Sequence, residues 1–315
     1  MNFPFNDIKG FKNWTKIEPI DYGWSIDTKY YVEDINQDKY LLRISPVSVF
    51  DQKKKEFEII KKFNQLFFIM SKAIGFGKCN DDHSVYMLLS WVEGTRLEDV
   101  IDFMSPNQQY LLGVEAGMIL KAIHSIPVDE EDVPKINKIE KKLKQLEIYE
   151  NSSVRIPNDQ PIIDFIKRNI NKIGKFSPVY KHGDFHFGNM ILTPNGQIGI
   201  IDFNRWECGD PYEEFYKLQS FGIEKSIPFC KGQIHSYFNG EPPMEFWETQ
   251  AVYVAHASLY SIKWAEKFGK EEIEGMTKRC MDALNDYDGF KNVIPKWYEA
   301  EEQHISQDKW VIPRN

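Results

Sequence analysis

The chain has 315 residues, 42% hydrophobic and 27% charged, with a formal net charge of −8. That length admits a large core and more than one domain, and the acidic balance excludes the basic surface on which nucleic-acid binding relies. Four cysteines at 79, 208, 230 and 280 form no CxxC pair, which argues against a zinc or redox motif. The opening MNFPFNDIKG shows no leader pattern, and no apolar run is long enough to span a bilayer. The expectation is a cytoplasmic protein with free thiols and neither a nucleic-acid nor a membrane partner.

In chain order, residues 20–49 read as strands. Ile26–Val32 and Lys39–Ile44 are rich in Tyr, Ile, Leu and Val, with a polar turn at Asp34–Asp38 between them. The stretch QKKKEFEIIKKFNQ at 52–65 sets Phe57, Ile60 and Phe63 at helical spacing, and its run Lys53-Lys54-Lys55 is expected on a solvated face. Residues 84–92, SVYMLLSWV, read as a buried strand. After Gly94 the pattern turns helical. Ser105, Pro106 and Gln108 have the order of an N-cap, a first-turn proline and a capping-box partner. An apolar stripe of Leu111, Val114, Met118 and Ile119 carries that helix to about His124, and Ile126-Pro127 ends it. Residues 160–173, 243–268 and 271–287 read as further helices. The fold class is therefore α+β: a β lobe with one helix over residues 1–90, a hinge at 89–93, and a larger, mainly helical lobe over 94–315.

The chemistry concentrates in residues 182–211, HGDFHFGNMILTPNGQIGIIDFNRWECGDP. Met190–Leu192 and Ile198–Ile201 are short apolar strands, and Thr193-Pro194-Asn195-Gly196 between them has the composition of a tight turn. A hairpin there brings Asp202 back beside Asn189 and Asp184. Phosphoryl transfer needs a carboxylate to orient and deprotonate a hydroxyl, oxygen ligands for magnesium, and positive charge near the phosphates. Asp184 suits the base. Asn189 and Asp202 supply one neutral and one anionic oxygen, enough for Mg2+ that shares its shell with phosphates and water. Ordinary turn chemistry accounts for Gly183-Asp184 or for Asp202-Phe203 alone, but not for the combined spacing.

HGDxHxxN followed by IDFxxxxxGDP resembles the signature of the aminoglycoside phosphotransferase and choline kinase family, distant relatives of protein kinases. The resemblance runs from about Ile17 to the C-terminal helices. It implies a two-lobed, protein-kinase-like fold with an N-terminal antiparallel β lobe. It also implies ATP or GTP as co-substrate. Tyr22-Gly23-Trp24-Ser25 resembles the loop over the nucleotide, so backbone groups of Gly23, Trp24 and Ser25 are expected at the phosphates; a plain hairpin turn is the other reading. KYLLRIS at 39–45 resembles the strand carrying a phosphate-binding cation, here Arg43 in place of lysine. The following helix supplies its acidic partner, Glu56 rather than Glu58, which points about 200° away. YMLLSWVEG at 86–94 resembles the adenine hinge, with the Ser90 carbonyl and the Val92 amide as its contacts. His186, two residues after Asp184, either meets the transferred phosphoryl group or is structural, and His182 is expected to brace the loop. Asp210-Pro211-Tyr212-Glu213 reads as a helix cap.

Only seven residues separate Asp202 from Asp210, which leaves little on which a peptide acceptor could lie. The acceptor is expected to be a small hydroxyl compound. Acidic residues after position 212 (Glu213, Glu214, Glu245, Glu248, Glu266, Asp282, Asp286) suit a cationic one such as an aminoglycoside, with antibiotic resistance as the implied role. Aromatics such as Trp247, Tyr253, Tyr260 and Trp264 suit a quaternary ammonium. A metabolite kinase acting on choline, ethanolamine, a sugar or an amino alcohol is the alternative, and a non-catalytic nucleotide-binding relative is a third reading.

Overall fold

The computed structural model describes residues 4–21 and 26–300. The first third of the chain forms β1 (Trp14–Ile20), β2 (Thr28–Asp34), β3 (Lys39–Pro46), α1 (Phe50–Phe63), β4 (Ile69–Met70), β5 (Ala73–Cys79), β6 (Ser84–Ser90) and β7 (Thr95–Arg96). Then come α2 (Leu97–Val100), α3 (Pro106–His124), α4 (Lys138–Glu150), α5 (Gln160–Asn169), β8 (Val179–Lys181), β9 (Met190–Leu192), β10 (Ile198–Ile200) and β11 (Glu207–Gly209). The chain continues through α6 (Ile227–Phe238), α7 (Met244–Ala265), α8 (Lys270–Asp286) and α9 (Lys296–Glu299). An N-terminal antiparallel sheet with one helix is followed by a mainly helical lobe, the two-lobed kinase-like arrangement expected from the sequence. By compactness, the first unit takes the described residues to Leu97 together with His182–Asp184 and Gly188–Trp206. The second takes Glu98–Lys181, Phe185–Phe187 and the described residues from Glu207 onward.

In the first unit the main sheet has the order β1-β2-β3-β6-β5, antiparallel throughout. The β2–β3 hairpin turns through Asp34, whose carboxylate accepts from the amides of Asn36 (2.9 Å) and Asp38 (3.0 Å). Its register sets Thr28 opposite Ile44, Lys29 opposite Arg43 and Glu33 opposite Lys39. Strand alternation then divides the faces. Val32, Leu42 and Leu88 join Phe5 and Ile8 in one apolar cluster. Lys29, Arg43 and Met87 share the other face, since they occupy one row across three strands.

Helix α1 buries Lys53, Glu56, Ile59, Ile60 and Phe63. This corrects the expectation of a solvated lysine run: Lys54 is exposed, but Lys53 lies on the same helical stripe as Glu56, Ile60 and Phe63 and is buried with its charge paired. A smaller sheet, β4-β10-β9-β7, completes the unit and contains the expected hairpin. There the Gly196 amide bonds the Thr193 carbonyl (2.9 Å), and Gly196 takes φ +77°, which glycine adopts without penalty.

In the second unit α3 starts on the expected capping box: Ser105 Oγ accepts from the Gln108 amide (3.3 Å), and Gln108 Oε1 accepts from the Ser105 amide (3.0 Å). Its buried face differs from the stripe read in the sequence. Leu111 and Met118 are exposed, whereas Leu112, Ala116, Ile119, Leu120 and Ile123 are buried. The reason is close packing against α6. A Cβ at Gly113 would come within 2.1 Å of the Phe229 carbonyl oxygen, and one at Gly117 within 2.4 Å of that of Gln233. These glycines orient the helix, and an apolar count passes over them. A second cluster joins α4, α5, α7 and α8 through Tyr149, Ile163, Ile166, Val252, Leu259 and Cys280. Helices α5, α7 and α8 lie where helical spacing placed them, while α4 and α6 were not anticipated. All four cysteines are buried and free. Among the described residues no helix is long and apolar enough to cross a membrane.

Candidate active site

His182 is fully buried at the entrance to the HGD loop. Its Nε2 lies 3.0 Å from the Ile201 carbonyl, which only accepts, so Nε2 carries the proton. Its Nδ1 then accepts from the Asp184 amide at 3.2 Å. One imidazole thereby ties the backbone of Asp184 to the residue before Asp202. Gly183 between them has φ +79°, and a Cβ there would stand 1.9 Å from the Arg205 carbonyl oxygen, so only glycine fits. Asn189 donates its side-chain amide to the Asp184 carbonyl (2.9 Å), and its own carbonyl accepts from the Ile201 amide (3.1 Å). The β9–β10 register, Ile200 opposite Met190, fixes this juxtaposition. Asp184, Asn189 and Asp202 are therefore held on one hydrogen-bonded frame.

Asp202 is itself left-handed, φ +62°, a conformation uncommon outside glycine and characteristic of functional turns. It begins the short turn Phe203–Arg205. Phe203 is buried between His182 (ring centroids 4.5 Å apart) and Phe63 of α1 (5.4 Å). Arg205 Nε approaches Asp184 Oδ2 at 3.7 Å, an ion pair at a partly exposed carboxylate.

Arg43 and Glu56 meet inside the first unit, the guanidinium Nη1 donating to Glu56 Oε1. Two residues that the sequence reading missed complete this group. Asp27 accepts from Arg43 Nε (2.7 Å), Lys53 Nζ (2.8 Å) and Ser45 Oγ (2.6 Å). Lys53 also donates to Glu56 Oε2 at 3.1 Å. Arg43 Nη2 lies against Asp27 as well, without a well-directed hydrogen bond. Burial pushes the Asp27 carboxyl up, but Arg43 and then Lys53 and Ser45 hold it well below the carboxylate range. Burial likewise opposes the charge on Arg43, yet Glu56, Asp27 and Asp202 hold it protonated. Two buried cations and two buried carboxylates balance. The signal for Asp27 was the hairpin register: counted from the Asp34–Asp38 turn, it faces Ser45.

Lys29 is the third missed residue. It shares the sheet face of Arg43, its side chain is only 14% exposed, and its ammonium stands 3.8 Å from Asp202 Oδ2. A cation beside that carboxylate marks a place where positive charge is favoured. Asn189 and Asp202 offer hard oxygen donors there, the type that magnesium selects. No group of three or more His, Cys, Asp or Glu among the described residues could hold a metal ion. An Asn–Asp pair fits Mg2+ that takes its other ligands from phosphate and water, not a closed protein cage.

At the expected hinge, the Ser90 amide bonds the Lys72 carbonyl (2.8 Å) and the Ser90 hydroxyl accepts from the Lys72 amide (2.8 Å). The Trp91 amide bonds the Lys39 carbonyl (2.9 Å), and the Val92 side chain is buried against Gly199. Gly23, Trp24 and Ser25 lie outside the described residues. His186 belongs to the second unit and lays its ring near that of Phe221, centroids 5.6 Å apart.

Asp210 caps the turn that follows it, accepting from the amides of Tyr212 (3.0 Å) and Gly174 (2.9 Å) and from the Tyr253 hydroxyl (2.8 Å). Glu213 does not return to that cap. It is buried among Lys138, Lys142 and Lys181. Although burial pushes its carboxyl up, Lys142, Lys181 and Lys138 hold it well below the usual range. Other acids after 212 are engaged too: Glu248 pairs with Lys172 (2.7 Å), Asp282 with Lys278 (3.0 Å), and Asp286 accepts from Gln219 (2.7 Å). Trp247 and Tyr253 are core residues.

An antiparallel sheet with one helix and a mainly helical lobe, carrying an HGDxHxxN loop joined by a hairpin to IDF, give the chain a kinase-like fold. The sequence pattern of the phosphotransferase enzyme family, APH, matches residues 16–247, and the chain belongs to that family. No curated protein matches it. Among solved structures it is similar to the gentamicin complex of APH(2")-IIa, at 20% identity over 89% of this chain and 97% of that one, with a TM-score of 0.65. It is similar also to the GDP complex of wild-type aminoglycoside 2'-phosphotransferase-IIIa (16%, 89% and 95%, TM-score 0.65). A third likeness is to APH(4)-Ia in a ternary complex with AMP-PNP and hygromycin B (13%, 89% and 96%, TM-score 0.67). At these identities the likeness is one of fold.

Proposed function

We propose that the protein is a magnesium-dependent kinase of small molecules that moves the γ-phosphate of ATP or GTP to a hydroxyl of a cationic acceptor, as an aminoglycoside phosphotransferase does. The observation that carries this reading is the frame in which His182, Asn189 and Ile201 hold Asp184 and Asp202 together. Asp184 accepts the proton of the attacking hydroxyl, and Arg205 at 3.7 Å steadies its carboxylate. Asn189 and Asp202 would hold Mg2+, which when bound neutralises charge on the phosphates. The Ser90 carbonyl and Val92 amide orient the base at a hinge over residues 89–93, between a nucleotide-binding part before residue 90 and an acceptor-binding part after 94. Backbone groups of Gly23, Trp24 and Ser25 cover the phosphates, and Arg43 with Glu56 lies beneath them. His186 contacts the transferred group. The similar structures bound to gentamicin and to hygromycin B favour a cationic acceptor.

The test is nucleotide turnover against a panel of aminoglycosides, choline, ethanolamine and neutral sugars, beside calorimetry of nucleotide with and without magnesium. Magnesium-dependent binding and transfer to at least one amine are expected. No nucleotide binding by the wild type would refute the assignment, and transfer to choline or a sugar alone would move it to a metabolite kinase.

A further inference from the structure

The proposed reaction requires a cation on the nucleotide phosphates, and the sequence pattern gives that place to Arg43. We propose instead that Lys29, on β2, is the residue that binds the phosphates, and that Arg43 is a positioning residue for the strand and helix around it. The inference rests on the kinase reading and deepens it.

Arg43 is 2% exposed, and its guanidinium is occupied by Asp27 and Glu56. Those carboxylates also take Lys53, so two positive and two negative groups cancel in a buried cluster. Turning Arg43 toward a phosphate would leave Asp27 and Glu56 buried with one cation between them, and an incompletely paired buried charge is strongly disfavoured. An arginine so placed stiffens the sheet against α1 but has no charge to lend.

Lys29 is the direct cross-strand partner of Arg43, so the two side chains leave the same face of the sheet. The ammonium of Lys29 reaches the proposed metal ligand, 3.8 Å from Asp202 Oδ2. That separation exceeds the roughly 2.7–2.9 Å of a charge-assisted hydrogen bond. The ion pair therefore leaves the three ammonium donors able to serve an anion. The side chain is 14% exposed, and partial burial strengthens its pull on a phosphate oxygen relative to a solvated lysine. A compact ammonium on a flexible stem is an ordinary phosphate ligand. The task of the third strand has thus moved one strand over while the acid–base pair behind it remains.

The experiment compares wild type, Lys29→Met, Lys29→Arg and Arg43→Lys. Calorimetry measures Mg–ADP and Mg–ATP, ligand-observed NMR measures adenosine, and thermal melts check the fold. Lys29→Met is expected to lose about tenfold to a hundredfold in ADP and ATP affinity, the weight of one charged hydrogen bond. It should keep its adenosine affinity and melting temperature, and Lys29→Arg should restore most of the loss. Arg43→Lys should lower the melting temperature more than it lowers ADP affinity. Wild-type ADP affinity in folded Lys29→Met would overturn the proposal, as would equal losses for ADP and adenosine, which mark a structural role. A wild type that binds no nucleotide would overturn the kinase reading and this inference with it. Nucleotide binding with an unchanged Lys29→Met would overturn this inference alone.

Discussion

At Gly183 the candidate loop has no room to spare. The Arg205 carbonyl would lie 1.9 Å from an added Cβ, and the backbone is left-handed. Gly183→Ala is expected to cost about 2 kcal/mol or more, since strain and overlap act together. It should also displace Asp184 from the frame set by His182. Urea unfolding with parallel turnover measurements tests both effects, and a variant with wild-type stability and rate would contradict the geometry. Asp184→Asn should lower phosphoryl transfer by about 10²–10⁴, the usual weight of a general base, and spare nucleotide binding. Near-full turnover on an identified acceptor would remove Asp184 from that role. The motif residues were legible because their spacing is local and a hairpin is easily read from Thr193-Pro194-Asn195-Gly196. Asp27, Lys29 and Lys53 were not, because their significance depends on what faces them. The register that sets Lys29 opposite Arg43 follows from centring the turn on Asn36, but its meaning needed the carboxylates that occupy Arg43.

At the scale of elements, the packing of α3 on α6 shows where periodicity misleads. Counting apolar positions placed Leu111 and Met118 on the buried stripe, yet the helix faces α6 through Gly113 and Gly117. Close backbone approach selects small residues, so the most tightly packed side of the helix looks the least hydrophobic. Gly117→Val is expected to lower stability by about 1–3 kcal/mol through overpacking, measurable by urea unfolding, with the capping box intact. A variant as stable as wild type would sink that account. The last turn of α3 carries a second consequence. His124 is buried, with Nδ1 2.8 Å from the Tyr237 hydroxyl of α6, and burial, then Lys181, lowers its pKa to about 3. An unfolded histidine titrates near 6.5, so below that pH the unfolded chain takes up a proton that the folded one refuses. The stability held by neutral His124 is present above pH 6.5 and drains away as pH falls toward 3. The loss is about 1.4 kcal/mol per unit, hence about 2 kcal/mol between pH 6.5 and 5. His256, pushed down by burial and Lys142, acts in the same direction. Chemical denaturation at pH 7 and pH 5 should show a steeper decline in wild type than in His124→Gln, and equal declines would mean that His124 is protonated in the fold.

For the molecule as a whole, family membership and the two-lobed plan were within reach of the sequence, because the match spans residues 16–247 and the motif ties the fold to its chemistry. The acceptor was not, and the structure changes how its charge should be tested. The acids after position 212 were to form an anionic wall, but Glu213 is surrounded by lysines, and Glu248 and Asp282 are paired. With those three acids engaged, a cation is drawn chiefly by the long-range field of a net charge of −8. That field is screened over about 8–10 Å at ordinary ionic strength, whereas a buried contact is screened far less. A cationic acceptor should therefore show a KM that rises only about two- to threefold between roughly 50 and 300 mM salt. A neutral sugar should show none of this rise. Steady-state kinetics at two salt concentrations, with the best amine and the best sugar side by side, separate the cases. A flat response for every acceptor, with a neutral sugar turned over fastest, would refute the cationic acceptor. A tenfold or larger rise for an amine would instead reveal an anionic contact that the paired carboxylates do not supply.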